Sequence, residues 1–287
     1  MSQMLEVKHK VPVQTLQIAY TPDSDDVFNY YAWEHGRLGL QTCDCEVIYQ
    51  RDHIQVLNEA ARQHLYDVVA ISSVIYPQVA DAYDILASGN SIGRGYGPVL
   101  VSDRYQSISE LRGKRVGIAG RLTTGGCLAM MYCPGANFIE CTYDKIADRI
   151  LQGDFDAGVM IHEELLHYPD KGLHKISDLG VDWCEDTKLP LPVGLNLVSR
   201  NLSESLRRDI AGTCRRSLQW AHANYDEAFA CASQYGRGCA QQHVSMFSND
   251  DTIKLPADAR RSLRVMFDRM ASLGLTPKVT KLEIIDG

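Results

Sequence analysis

The chain has 287 residues, 45% hydrophobic and 23% charged, which is length enough for one large domain or two modest ones with buried cores. Its 29 Lys and Arg stand against 36 Asp and Glu, a formal charge of −7 that disfavours a polyanion surface, so no nucleic-acid partner is expected. No apolar run is long enough to cross a bilayer, and the opening "MSQMLEVKHKVPVQ" lacks the apolar core of a secretory signal; a cytoplasmic protein with no membrane partner is expected.

Residues 1–13 read as a loose tail. "TLQIAY" then reads as a strand, and residues 25–35 as a helix whose apolar side holds Val27, Phe28, Tyr30, Tyr31 and Trp33, aromatics read as core. "CEVIYQ" predicts a strand, "IQVLNEAARQ" a helix, "YDVVAIS" a buried strand and "VIYPQVADA" a helix. This βαβαβα alternation predicts a parallel sheet covered by helices. A second group starts near residue 102. It runs through "ISELRGKRVGIAG" (short helix and strand), "GGCLAMMYC" (helix), "NFIECTY" (strand), "DKIADRILQG" (helix) and "FDAGVMI" (strand). The helix "EELLHY" and an extended crossing at "LPVGLNLVSR" follow, and from Leu202 onward the pattern is mainly helical.

Two crossovers let residues 14–101 plus 200–287 form one discontinuous α/β lobe, with 102–199 inserted as a second α/β lobe and a cleft between them. The nine cysteines form an odd, scattered set and are expected as reduced thiols. There is no CxxC pair. Cys43 and Cys45 are the nearest spacing and read as small semi-buried side chains or a weak metal pair; no metal is expected.

Ligands of parallel α/β sheets meet the loops at the carboxyl ends of strands. Three such loops carry unusual chemistry. In "TPDSDDVF" the acids Asp23, Asp25 and Asp26 crowd a helix start, where they can cap the helix or accept hydrogen bonds from a ligand. In "GIAGRLTTGGC" a strand runs through Thr123 and Thr124 into a helix, which fits either a carboxylate or phosphate site or a threonine N-cap. It is neither a P-loop nor GxGxxG. In "GVMIHEELLHY" His162 follows an apolar strand and precedes a helix, and serves either as a base or as a hydrogen-bonded cap. HExxH is absent, as is GxSxG.

These segments together resemble the menaquinone-biosynthesis family of the futalosine route, above all its 1,4-dihydroxy-6-naphthoate synthases. The resemblance covers nearly the whole chain after residue 16 and rests on "TPDSDDVFNYYAWEHGRL", "VLNEAA", "VVAISSVIYPQVADAYDILASG", "GRGYGPVLVS", "LRGKRVGIAGRLTTGG", "YDKIADRILQGDFDAGVMIHE" and "GLHKISDLGVDWCEDTKLPLPVGLNLVSR". It implies an α/β periplasmic-binding-protein type II-like fold used as a cytoplasmic lyase. The implied reaction is base-assisted cleavage of cyclic dehypoxanthinyl futalosine, a small-molecule carboxylate, without a cofactor. The alternatives are a non-catalytic carboxylate-binding or sensing protein of that fold, or chorismate dehydratase. A homodimer is left open. By the same resemblance His162 is the catalytic base, and Asp25, Asp26, Asn58, Ser72, Thr123 and Thr124 contact substrate, with the threonine hydroxyls holding developing oxyanion charge. The chain departs from the family at Asp25, where an asparagine is common.

Overall fold

The computed structural model describes residues 15–287. The tail expected over 1–13 lies outside the described residues. Five strands come first: β1 (Thr15–Tyr20), β2 (Glu46–Arg51), β3 (Val68–Ser72), β4 (Tyr83–Leu86) and β5 (Ser91–Gly93). A second group follows, β6 (Val99–Ser102), β7 (Arg115–Ile118), β8 (Asn137–Glu140), β9 (Ala157–Met160) and β10 (His174–Asp178), before the chain returns through β11 (Leu191–Ser199) and ends at β12 (Ile284–Ile285). The first sheet has the order β12-β4-β11-β3-β1-β2, with β5 paired to β11; the second has the order β10-β6-β9-β7-β8.

The alternating pattern at the start does build parallel β2-β1-β3 pairing. Every residue of β3 is buried, as a strand covered on both faces requires. The sheet is nevertheless mixed, which corrects the all-parallel expectation. The chain comes back from the second lobe from the opposite end, so β11 runs antiparallel to both β3 and β4. In the second sheet β7 is parallel to β8 and β9, while β6 is antiparallel to β9 and β10.

Hydrogen bonding moves both lobe boundaries earlier than the expected 101/102 and 199/200. β6 pairs with β9, so the second sheet starts at Val99, and β11 pairs with β3, so Leu191–Ser199 belongs to the first sheet. Two short strands (β4 and β5), β10 and the helix Ala240–Phe247 have no counterpart in the elements expected from sequence.

The aromatics of the first helix, Ser24–Glu34, lie in the core: Phe28 is fully buried and Tyr30, Tyr31 and Trp33 nearly so. Tyr31 stacks on Trp220 at 5.8 Å and Phe28 tilts against Tyr225 at 5.4 Å, which locks this helix onto the helices Glu204–Ala223 and Tyr225–Ala232. Burial of each such ring contributes about 1.5–3 kcal/mol. Among the described residues no helix is long and apolar enough to cross a membrane.

The cysteine reading needs one correction. Cys43 and Cys45 are joined by a disulfide, their Cα atoms 5.5 Å apart and so within bridging range. The other seven cysteines are free thiols.

Candidate active site

A cavity lies between the two sheets, lined from the first lobe by Thr21, Asp25, Asp26, Ser72, Asn196 and His243 and from the second by Thr123, Thr124, Gly125, Ile161 and His162. Segments from both lobes thus converge on one cavity. Of the residues singled out from sequence, His162, Asp25, Asp26, Ser72, Thr123 and Thr124 all reach its wall. Asn58 does not. It sits on the helix Ile54–Arg62 just behind the wall, where its Oδ1 accepts from Ser72 N (2.8 Å) and its Nδ2 donates to Ser72 Oγ (3.1 Å) and Leu122 O (3.4 Å). Its role is to fix Ser72.

His162 leaves β9 with φ +54°, the left-handed region that few non-glycine residues occupy. Its Nδ1 lies 2.7 Å from Asp23 Oδ2. Its Nε2 is buried and has no hydrogen-bond partner. The imidazole is therefore anchored through one nitrogen, and the other is left without a protein partner. Burial alone would lower its pKa; the Asp23 charge and hydrogen bond outweigh that and raise it above the ordinary value, with Asp25 adding to the rise.

Asp23 itself answers whether the acid cluster is a cap. It occupies the N-cap position of Ser24–Glu34, yet its side chain makes no cap hydrogen bond. Its two oxygens go instead to His162 and to Arg237 Nη2 (3.1 Å). Burial works against its ionisation, but His162, His243 and Arg237 together hold the carboxyl well below the usual range. Asp26 Oδ2 reaches back to accept from Thr21 N (3.0 Å) and Thr21 Oγ1 (2.7 Å), bracing the loop. Asp25 Oδ1 lies 3.4 Å from His243 Nδ1. Burial and then the neighbouring carboxylates push Asp25 up to about 7 and Asp26 up to about 8.

The threonine loop takes the alternative that capping predicted. Thr123 Oγ1 accepts from Gly126 N (3.1 Å) as the N-cap of Thr124–Tyr132 and donates to Gly120 O (2.8 Å). Thr124 Oγ1 donates to Val193 O (2.7 Å). Each hydroxyl has already used its single hydrogen, which corrects the expectation that these side chains hold oxyanion charge. The backbone N–H groups of Thr124 and Gly125 open the helix and face no acceptor among the described residues, so they are the donors available there. A Cβ at Gly126 would stand 2.1 Å from Gly120 O, so only glycine closes this loop.

Four further residues complete the site, of which Tyr143, Arg237 and His243 were not anticipated from sequence. Glu163 Oε1 accepts from Ser24 Oγ (2.5 Å) and its Oε2 from Arg237 N (2.5 Å). Arg237 also donates to Tyr143 Oη (2.5 Å), and so ties both lobes around His162. Tyr143 lies against the imidazole, ring centroids 4.8 Å apart. His243, 2% exposed, comes from the helix Ala240–Phe247. Burial drives it down to about 4, so it is neutral. A lone His in the helical stretch "AQQHVSMF" reads as ordinary core, and nothing local announces its partners. Among the described residues no group of three or more His, Cys, Asp and Glu side chains is arranged to hold a metal ion.

Fold and site define a two-lobed α/β protein with a histidine–aspartate dyad in the interlobe cavity. The fold is periplasmic-binding-protein-like: the alkanesulfonate-binding protein SsuA of Xanthomonas axonopodis pv. citri superposes with TM-score 0.70 over 97% of this chain and all of its own, at 12% identity. The menaquinone-biosynthesis family matches residues 16–272, and the chain belongs to that family. It is 33% identical over 271 residues to the 1,4-dihydroxy-6-naphthoate synthase of Thermus thermophilus, covering 92% of this chain and 96% of that one. It is 30% identical to the enzyme of the same name from Streptomyces coelicolor, covering 92% and 95%. A crystal structure of an Archaeoglobus fulgidus protein is 35% identical, with TM-score 0.86 over 91% of this chain and 98% of its own.

Proposed function

We infer that this chain is a lyase of the 1,4-dihydroxy-6-naphthoate synthase kind, acting in the cytoplasm on cyclic dehypoxanthinyl futalosine, a small carboxylate. The observation that carries the reading is the His162 imidazole: the residue lines the cavity, its Nδ1 is bound to ionised Asp23, and its Nε2 is buried with no hydrogen-bond partner. That is the arrangement of a general base, because the carboxylate fixes the tautomer and steadies the positive charge the ring gains. The naming of the Thermus and Streptomyces relatives supports the naphthoate product.

In this reading His162 Nε2 removes a proton from carbon. The N–H groups of Thr124 and Gly125, at the positive end of their helix, bind the negative charge of the substrate carboxylate or of the developing oxyanion. Ser72, held by Asn58, and Asn196, whose Oδ1 accepts from Tyr30 Oη at 2.7 Å, shape the opposite wall. A general base contributes about 10² to 10⁴ in rate, and orientation between the lobes supplies much of the rest.

The test is incubation of the purified protein with cyclic dehypoxanthinyl futalosine, with the naphthoate product followed by mass spectrometry. Product from wild type and its loss in His162→Ala, with substrate affinity retained, is the expected result. Tight binding with no product identifies a non-catalytic binding protein, and turnover of chorismate instead identifies the dehydratase.

A further inference from the structure

We propose that Asp25, positioned by His243, is the acid that works opposite His162, delivering a proton to the departing oxygen while His162 removes one from carbon. The proposal rests on the lyase reading above. In an elimination the C–H electron pair becomes the new π bond, and the C–O bond breaks with its electron pair on oxygen. That oxygen then needs a proton, and no oxidation or reduction occurs. The threonine hydroxyls have no hydrogen to give, and backbone N–H groups bind charge without transferring protons.

Among the described residues four titratable side chains line the cavity: Asp25, Asp26, His162 and His243. His162 is the base. Asp26 has its Oδ2 tied to two Thr21 donors. His243 Nδ1 lies 3.4 Å from Asp25 Oδ1 and 3.4 Å from Ser24 Oγ. Ser24 spends its hydroxyl hydrogen on Glu163, so towards His243 it can only accept. A proton held between Asp25 and His243 therefore has two stations, while the other Asp25 oxygen has no side-chain partner among the described residues. Asp25 faces the carboxyls of Asp23 and Asp26 and the imidazoles of His162 and His243. His243 faces Asp23, Asp25, Glu163, His162 and Arg237, with Phe247 of its own helix 5.1 Å away. Burial, and then the Asp23 charge, keep the Asp25 carboxyl protonated up to about pH 7, and buried His243 stays neutral instead of supplying a cation that would ionise it. After the reaction His162 holds one extra proton and Asp25 lacks one; solvent resets both when product leaves.

Two measurements on the full chain test this. The first is the pH dependence of kcat for wild type, Asp25→Asn and His243→Gln. Asp25→Asn is expected to lower kcat about 10²–10⁴-fold and abolish the alkaline limb, leaving the acid limb from His162 in place. His243→Gln is expected to move the alkaline limb without removing it. An alkaline limb unchanged in Asp25→Asn, or one that follows Asp26→Asn instead, overturns the proposal. The second is infrared titration without substrate: the carboxylic-acid carbonyl band that disappears on raising the pH through about 7 should be missing from Asp25→Asn. Persistence in that variant of the band that titrates near 7, as distinct from the Asp26 band that titrates near 8 and is missing from Asp26→Asn, overturns the proposal whether or not the wild type turns over. Absence of wild-type turnover with the band present would instead overturn the lyase reading.

Discussion

Two histidines share one cavity wall and meet opposite electrostatic fates. His162, at the end of a strand in the second lobe, is held 2.7 Å from an ionised aspartate and gains affinity for protons. His243, on a helix of the first lobe, is set deeper, its side chain 2% exposed against 16% for His162, and meets its carboxylate at 3.4 Å; that carboxylate is itself pushed towards neutrality. Burial penalises both imidazolium ions. A close, charged partner reverses the penalty in one case and a more distant, neutral one fails to in the other. The distance and charge state of its carboxylate thus help decide whether a buried histidine gains a proton or stays neutral.

The largest effect should come from removing the reactive ring. His162→Ala is expected to lower kcat about 10²–10⁴-fold with substrate affinity changed only severalfold, measured by steady-state kinetics and calorimetry. Equal losses for His243→Ala with the same pH profile would erase the distinction. Stability should separate the pair next. Folded His243 stays neutral down to about pH 4, whereas unfolded it would take a proton near its ordinary 6.5. Stability therefore falls as pH drops through that interval, by roughly 3 kcal/mol in total, and His243→Gln should flatten the slope in denaturant titrations. His162 has the opposite sign. Its raised value makes its contribution complete below 6.5 and lost as pH rises through the folded value, so His162→Gln should flatten the slope above 6.5.

Asp23→Asn probes the cause of the difference. Without the charge, burial should return His162 below its ordinary value; kcat should fall about 10²-fold through lost orientation, and the acid limb of the profile should move down. Thr123→Ala gives the scale of a residue on the same wall whose hydroxyl only caps a helix. It should cost about 1 kcal/mol in thermal unfolding, and Thr123→Ser should recover most of it.

Much of this architecture is readable from residue order. The β-branched runs of β1, β3, β7 and β9, separated by amphipathic stretches such as "IQVLNEAARQ", state a buried sheet with covering helices. The direction of β11 is not readable, because an apolar strand carries the same pattern whichever way its neighbours run. The site divides in the same way. His162 and the threonine loop follow strands and can be found by position. Glu163, Arg237 and His243 acquire meaning from partners 139, 214 and 219 residues away, in Ser24–Glu163, Asp23–Arg237 and Ser24–His243, and no local pattern encodes such distances. Asp23 misleads in particular, since it stands where a cap belongs and caps nothing.

The return of the chain to the first lobe has a consequence for biosynthesis on the ribosome. Translation runs from the amino end, so the strand bearing His162 and its Asp23 partner emerge long before the segment carrying Arg237 and His243. A nascent polypeptide cannot assemble the finished centre until its closing helices have been made, and any truncation before residue 237 leaves an imidazole without the clasp that steadies its aspartate.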